Sequence, residues 1–339
     1  MTKKIFFRAD ASAKVGLGHL TRCLALASIL KEKFDCSFIL KDSVESSFDL
    51  LRESGFTYQK LAESNVVEEG DQISKIVNSN DIVVVDGYQF TEAYFAQITM
   101  NGAKLVLIDD FMKGSVYADV LINHAVGLPE NTFKKNARTK YCLGEKYAML
   151  RRPFLFKAKQ QRQISKVENV FICFGGADYF NVTLKILKAL ETADSRLRFH
   201  LVLASTFPFV DEVKSFLKST SMKVELYYNL NAQQMADLMH QCEIAIAPTS
   251  GLSYEICAVG MGYLGGYYIN NQIAIHNGFL QKNCLVSVGD FTKISGNEIF
   301  KFFSHLVCDI NKINNLLVAQ RELIDGASDK NFLKVFSSL

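Results

Sequence analysis

The chain has 339 residues, 49% of them hydrophobic and 22% charged, with a net charge of +3 at pH 7. That length exceeds one ordinary hydrophobic core and predicts two domains of roughly 150 residues each. So small a charge, with no basic stripe interleaved with aromatics, argues against nucleic acid as a partner.

The eight cysteines (23, 36, 142, 173, 242, 257, 284 and 308) form no C-x-x-C pair. Neither a zinc site nor a redox dithiol is expected, and no other metal or cofactor signature stands out. Free thiols point to a reducing, cytoplasmic compartment. The opening "MTKKIFFRADAS" turns polar too early for a signal peptide. No apolar stretch is long enough to cross a bilayer, so no membrane partner is expected.

Taken in chain order, β-rich runs alternate with helical patterns. Strands are predicted at 4–9, 36–40, 81–86, 104–110 and 118–123, with helices near 19–33, 45–54, 68–79 and 90–101. Their apolar runs are continuous rather than alternating, as parallel strands covered on both faces require. The basic stretch 150–167, with Pro153, reads as a solvated inter-domain connection. The pattern restarts with strands at 167–174, 198–204, 223–228, 243–248, 262–269 and 284–289. From about 295 onward it reads as consecutive helices. The expected architecture is α/β: two Rossmann-like, doubly wound domains facing across a cleft. The expected boundaries are 1–152, 166–294 and a helical extension at 295–339.

In such sheets ligands lie beyond the carboxyl ends of the strands, so the informative residues should follow strands. The first such stretch is "RADASAKVGLGHLTR" (8–22). Gly16 and Gly18 permit a tight turn and close ligand approach before a helix, whose first N–H groups suit an anion. The third glycine of the dinucleotide fingerprint is replaced by Thr21, which disfavours hydride transfer. His19 and Arg22 stand at that helix start; the alternative for His19 is a capping or packed imidazole. "DGYQF" (86–90) offers Tyr88 to a sugar, or else Asp86 as a helix cap, and "IDD" (108–110) has the same ambiguity.

In the second half "CFGGADYFNVT" (173–183) repeats the glycine turn with Gly175 and Gly176. Asp178 and Asn181 follow as ligand contacts or helix caps. "APTSGLSYEICAVGMG" (247–262) places Thr249, Ser250 and Gly251 at a helix start suited to a diphosphate. Glu255, one turn in, can accept both hydroxyls of a ribose. Asn271 and Gln272 in "INNQ" can exchange hydrogen bonds with a sugar.

These stretches, with "LGEKYAMLRRPF" and in this order, resemble the UDP-sugar hydrolases of pseudaminic acid biosynthesis, over residues 4 to 282. The resemblance implies a glycosyltransferase-B-like fold and a UDP-sugar substrate, a UDP-2,4-diacetamido-2,4,6-trideoxy-altropyranose. It also implies inverting hydrolysis at the anomeric carbon without a metal. It assigns His19, Tyr88 and Asn271 as catalytic, and Ser250, Gly251 and Glu255 as nucleotide contacts. Arg8, Asp10, Gly16, Gly18, Arg22, Gly175, Gly176, Asp178, Asn181, Thr249 and Gln272 complete the expected substrate site. Asp10 is the expected orienting carboxylate for His19. The chain departs from the family pattern where "VGMGYLGG" lacks the proline many relatives have there, and residues 295–339 match no motif. A glycosyltransferase of the same fold, a UDP-sugar 2-epimerase and a non-catalytic nucleotide-sugar-binding protein are the competing readings.

Overall fold

The computed structural model describes residues 3–11, 18–41, 43–62, 64–111, 114–127, 136–175, 178–204 and 206–339. Gly16 and Gly176 lie outside the described residues. The chain divides into two compact units, Met1–Arg152 with Ala327–Leu339, and Pro153–Gly326.

The first unit contains β1 (Lys4–Ala9), α1 (Gly18–Leu30), β2 (Asp35–Leu40), α2 (Glu45–Glu53), β3 (Thr57–Lys60), α3 (Val66–Ser74) and β4 (Ile82–Asp86). It continues through α4 (Glu92–Ile98), β5 (Lys104–Ile108), β6 (Val120–Asn123) and β7 (Lys140–Leu143). Its seven strands run in the order β3-β2-β1-β4-β5-β6-β7, and every pairing is parallel. The central strands are apolar along their whole length because helices cover both faces. Val83, Val85 and Leu105 accordingly pack on Ile73, Tyr94 and Ile98 of α3 and α4.

The second unit opens with α5 (Arg152–Ala158), whose first residue closes the first unit, and continues with β8 (Asn169–Ile172), α6 (Val182–Ala189) and β9 (Arg198–Leu203). It goes on through α7 (Val210–Ser219), β10 (Lys223–Tyr228), α8 (Ala232–Gln241), β11 (Ile244–Pro248), α9 (Gly251–Val259) and β12 (Gly262–Tyr267). Then come α10 (Ile273–Gln281), β13 (Val286–Asp290), α11 (Gly296–Cys308) and α12 (Ile310–Leu323). The six strands are ordered β10-β9-β8-β11-β12-β13, again all parallel. At Gly266 an added Cβ would lie 2.5 Å from the Gly289 carbonyl oxygen, so the β12–β13 approach excludes any side chain there. Gly260 closes α9 at φ +76°, a left-handed position that glycine occupies without strain. Glycine there ends the helix with no proline needed.

The stretch 150–167 contains the division between the two units and is only partly solvated. Phe154, Leu155 and Ala158 of α5 are buried. Arg162 donates to the carbonyls of Gly260, His240 and Cys242 at 2.8, 2.9 and 2.7 Å. Arg162 thus serves carbonyls at the ends of α8 and α9, whereas Arg152, Lys159 and Lys166 remain exposed. The terminal helices belong to different units. Ile313, Leu316 and Leu317 of α12 join the core of the second. The last helix, α13 (Ser328–Phe336), packs on α1 of the first, with Phe332 5.7 Å from the Tyr147 ring. Among the described residues no helix is long and apolar enough to cross a membrane.

Candidate active site

In the first unit the doubly wound order places β1 between β2 and β4, so Ala9 pairs with Asp86 and Asp86 with Ile108. The residues that end these strands therefore share one carboxyl edge, where such sheets hold ligands. Gly18 opens α1 at that edge and is exposed; a Cβ there would meet nothing within 4 Å. His19, Arg22 and Cys23 stand at i, i+3 and i+4 of α1, on one helix face. All three reach Asp86.

His19 Nδ1 lies 2.6 Å from Asp86 Oδ1. A carboxylate can only accept, so Nδ1 carries the proton and Nε2 is the basic nitrogen. The Arg22 guanidinium donates through Nε to Asp86 Oδ2 and through Nη2 to Oδ1, both at 2.6 Å. Its Nη1 reaches Asp110 Oδ1 at 2.8 Å. Cys23 Sγ donates to Asp86 Oδ2 at 3.6 Å. Tyr88 donates its hydroxyl to Asp110 Oδ2 at 2.9 Å, and its ring lies edge-on to His19 with centroids 4.7 Å apart. His19 is only 7% exposed, whereas Tyr88 is 51% exposed.

The electrostatics follow from this geometry. Burial pushes the Asp86 carboxyl up, but the Arg22 guanidinium and then His19 outweigh it and hold it below the usual range. Asp110 is similarly opposed by burial and lowered by Arg22, to about 2. Burial, then Asp110, pushes the Tyr88 phenol up, so Tyr88 is protonated at neutral pH and cannot serve as a base. Its oxygen can still accept from a substrate hydroxyl or amide. His124, after β6, is pulled down to about 4 by burial and then by Arg22, and stays neutral.

Asp10 does not orient His19. It is paired with Arg8 at 2.6 Å and accepts from the Lys41 N–H at 2.8 Å. Arg8, 1% exposed, also binds Glu69 of α3 at 2.7 Å, and its guanidinium carbon lies 5.2 Å from the Phe90 ring centroid. Tyr94 of α4 donates to the same Glu69 oxygen at 2.7 Å. Arg8 is thus a buried charge held between two carboxylates. Removing one partner of such a pair costs more than the pair contributes, because it leaves a buried charge unmatched. Glu69→Ala is expected to destabilise the protein by about 3–5 kcal/mol in urea unfolding; an unchanged midpoint would refute this.

In the second unit Gly175 follows β8 at φ +76° and is exposed. Asp178 is fully buried and accepts from the backbone N–H groups of Val182 and Thr183 at 2.9 and 2.8 Å. Its carboxylate thereby caps the first N–H groups of α6. Asn181 adopts a left-handed φ of 49° and donates to Glu212 at 2.7 Å. Thr249 is buried, and its hydroxyl donates to the Gly266 carbonyl at 2.9 Å, tying β11 to β12. Gln272 is buried and accepts from the Tyr268 N–H at 3.0 Å, so its amide shapes the turn instead of reaching a sugar.

Ser250 caps α9 through Leu252 N–H, in a reciprocal box with Ser253. Gly251, exposed, begins α9 with no atom within 4 Å of where a Cβ would be. This start leaves backbone N–H groups and open space for an anion. Glu255 is 9% exposed on the next turn, and Asn271 is exposed on the 3-10 turn after β12. Among the described residues no group of three His, Cys, Asp or Glu is arranged to hold a metal ion.

The geometry can be set beside known proteins. No family model matches the chain. An uncharacterised protein of Methanocaldococcus jannaschii is 30% identical over 82% of this chain, and the match spans 58% of that relative's length. The UDP-2,4-diacetamido-2,4,6-trideoxy-beta-L-altropyranose hydrolase of Campylobacter jejuni is 25% identical over 79% of this chain and 93% of its own. The spore coat polysaccharide biosynthesis protein SpsG of Bacillus subtilis is 22% identical over 94% of this chain and 93% of its own. Among solved structures, Acinetobacter baumannii MurG superposes with a TM-score of 0.67 at 13% identity, covering 99% of this chain and all of that one. S. aureus MnaA with UDP gives 0.66 at 12% identity, over 97% and 94%. The fold is glycosyltransferase-B-like, with two parallel-sheet Rossmann-like domains.

Proposed function

We propose that this protein is a nucleotide-sugar hydrolase, cleaving a UDP-2,4-diacetamido-2,4,6-trideoxy sugar to UDP and free sugar with inversion at the anomeric carbon. The observation that carries the reading is the 2.6 Å His19–Asp86 pair at the carboxyl edge of the first sheet. The similarity to the Campylobacter jejuni hydrolase supports the substrate class.

The chemistry is economical. Water oxygen bonds to the anomeric carbon, the bond from that carbon to the UDP oxygen breaks, and UDP leaves with the electron pair. The water's proton passes to His19 Nε2, whose other nitrogen is fixed by Asp86. A nucleoside diphosphate is already a good leaving group, so the paired carboxylic acids of ordinary glycosidases are not needed. Asp86 and Asp110 are locked on Arg22, in keeping with a site whose base is the imidazole. In this reading Tyr88 holds a polar group of the sugar. The N-terminus of α9, at Ser250 and Gly251, stabilises the departing diphosphate with N–H groups and dipole. Glu255 takes the ribose hydroxyls.

The test is incubation with a panel of UDP-2,4-diacetamido sugars and no acceptor, followed by proton NMR. Release of free sugar of inverted anomeric configuration together with UDP is expected. Turnover only with an added acceptor would make the protein a glycosyltransferase. A product still attached to UDP would make it an epimerase, and binding without any product a nucleotide-sugar sensor.

A further inference from the structure

The acid–base chemistry leaves unused a strip of aromatic surface beside His19. Phe111 directly follows Asp110 and is 59% exposed. Its ring centroid is 4.7 Å from that of Tyr88 at 61°, and Tyr88 stands 4.7 Å from His19 at 78°. Three rings therefore run in contact from the base outward to solvent. The strip is held in place. Tyr88 is fixed by its hydroxyl on Asp110, and the Phe111 N–H donates to Asp109 Oδ1 at 3.0 Å. Asp109 Oδ2 also accepts from the Gly114 N–H, at 2.7 Å.

A solitary exposed phenylalanine needs no explanation. This one continues an aromatic surface that begins at the base and is bordered by the charged groups of Arg22 and Asp110. The Phe111 ring offers no polar atom, and the Tyr88 hydroxyl, its proton given to Asp110, can only accept at the ring edge. What the ring faces can reward is C–H: their electron-rich surface attracts the weakly positive hydrogens of an apolar group. A pyranose presents such hydrogens on one ring face and on the methyl groups of acylamino or deoxy substituents.

We propose that Phe111, with Tyr88, is the seat for the C–H-rich part of the substrate sugar, making Phe111 a specificity-determining residue. This rests on the hydrolase reading and deepens it: the platform gives affinity for the glycosyl group, while the nucleotide is held elsewhere. Apolar contact of this kind contributes to ground-state and transition-state binding alike, so its loss should raise KM more than it lowers kcat.

The test compares wild type, Phe111→Ala and Phe111→Tyr with UDP-N-acetylhexosamine, the fully hydroxylated UDP-hexose, the diacetamido sugars and UDP alone. Affinities are measured by calorimetry in the His19→Ala background, where turnover does not interfere. Phe111→Ala should weaken UDP-sugar binding by roughly 5–30-fold while UDP affinity stays within threefold, and Phe111→Tyr should bind as the parent does. Equal loss for hydroxylated and acylated sugars identifies the ring face as the occupant; loss confined to acylated sugars identifies the acyl methyl. Unchanged UDP-sugar affinity in Phe111→Ala, or a parallel loss of UDP affinity, would overturn the platform while leaving the hydrolase reading intact. If no UDP-sugar binds to the parent, both fall together.

Discussion

His19→Ala is expected to lower turnover of the UDP-sugar by about 10²–10⁴-fold, the usual contribution of a positioned general base. UDP affinity should be nearly unchanged, because the reading assigns the nucleotide to the helix start at Ser250 and Gly251. The variant should also fold. Asp86 retains both Arg22 bonds and the Cys23 thiol after the imidazole is removed. The pair of measurements, steady-state release of sugar and calorimetric binding of UDP, separates a lost base from a damaged protein. Turnover within threefold of wild type would refute the assignment of His19 as base.

The central framework was readable because buried parallel strands are written as unbroken apolar runs. "DIVVVD" and "EIAIAP" are such runs, and both became central strands, β4 and β11. The strands the sequence hid are β3 and β7, "TYQK" and "KYCL", the two edges of the first sheet. An edge strand is covered on fewer sides and can be polar, so periodicity has little to detect there.

The same division holds for the site. His19 and Arg22 were visible because a glycine-rich strand-to-helix turn is a local signal. Their partners are 64 to 88 positions away in sequence. Asp86 could have been paired with His19 from the doubly wound strand order alone, since that order sets the ends of β1 and β4 side by side. The bond from Arg8 to Glu69 left no such signal: a helix residue 61 positions on supplies the carboxylate. Asp178 and Thr249 carry a local signal that two uses share. Short polar side chains after strands satisfy the backbone as readily as they bind ligands, and their type alone does not distinguish the two uses.

Asp86→Asn tests the other half of the pair, and its expected effect is comparably large. Oδ1 receives both His19 Nδ1 and Arg22 Nη2, and Oδ2 receives Arg22 Nε and Cys23 Sγ. An amide must put an NH₂ group at one of these two positions. If it takes the Oδ1 place, Nδ1 becomes an acceptor, the ring proton moves to Nε2, the wrong tautomer for a base, and the NH₂ also meets Arg22 Nη2. If it takes the Oδ2 place, two donors meet in a buried site. A fall in kcat of about 10²–10⁴-fold is expected, with a smaller change in KM. A purely structural loss would reduce the folded fraction instead, so the deciding readout is kcat per folded molecule, with the folded fraction measured by circular dichroism. A kcat near wild type in the folded variant would mean that Asp86 holds Arg22 and plays no part in setting the proton position on His19.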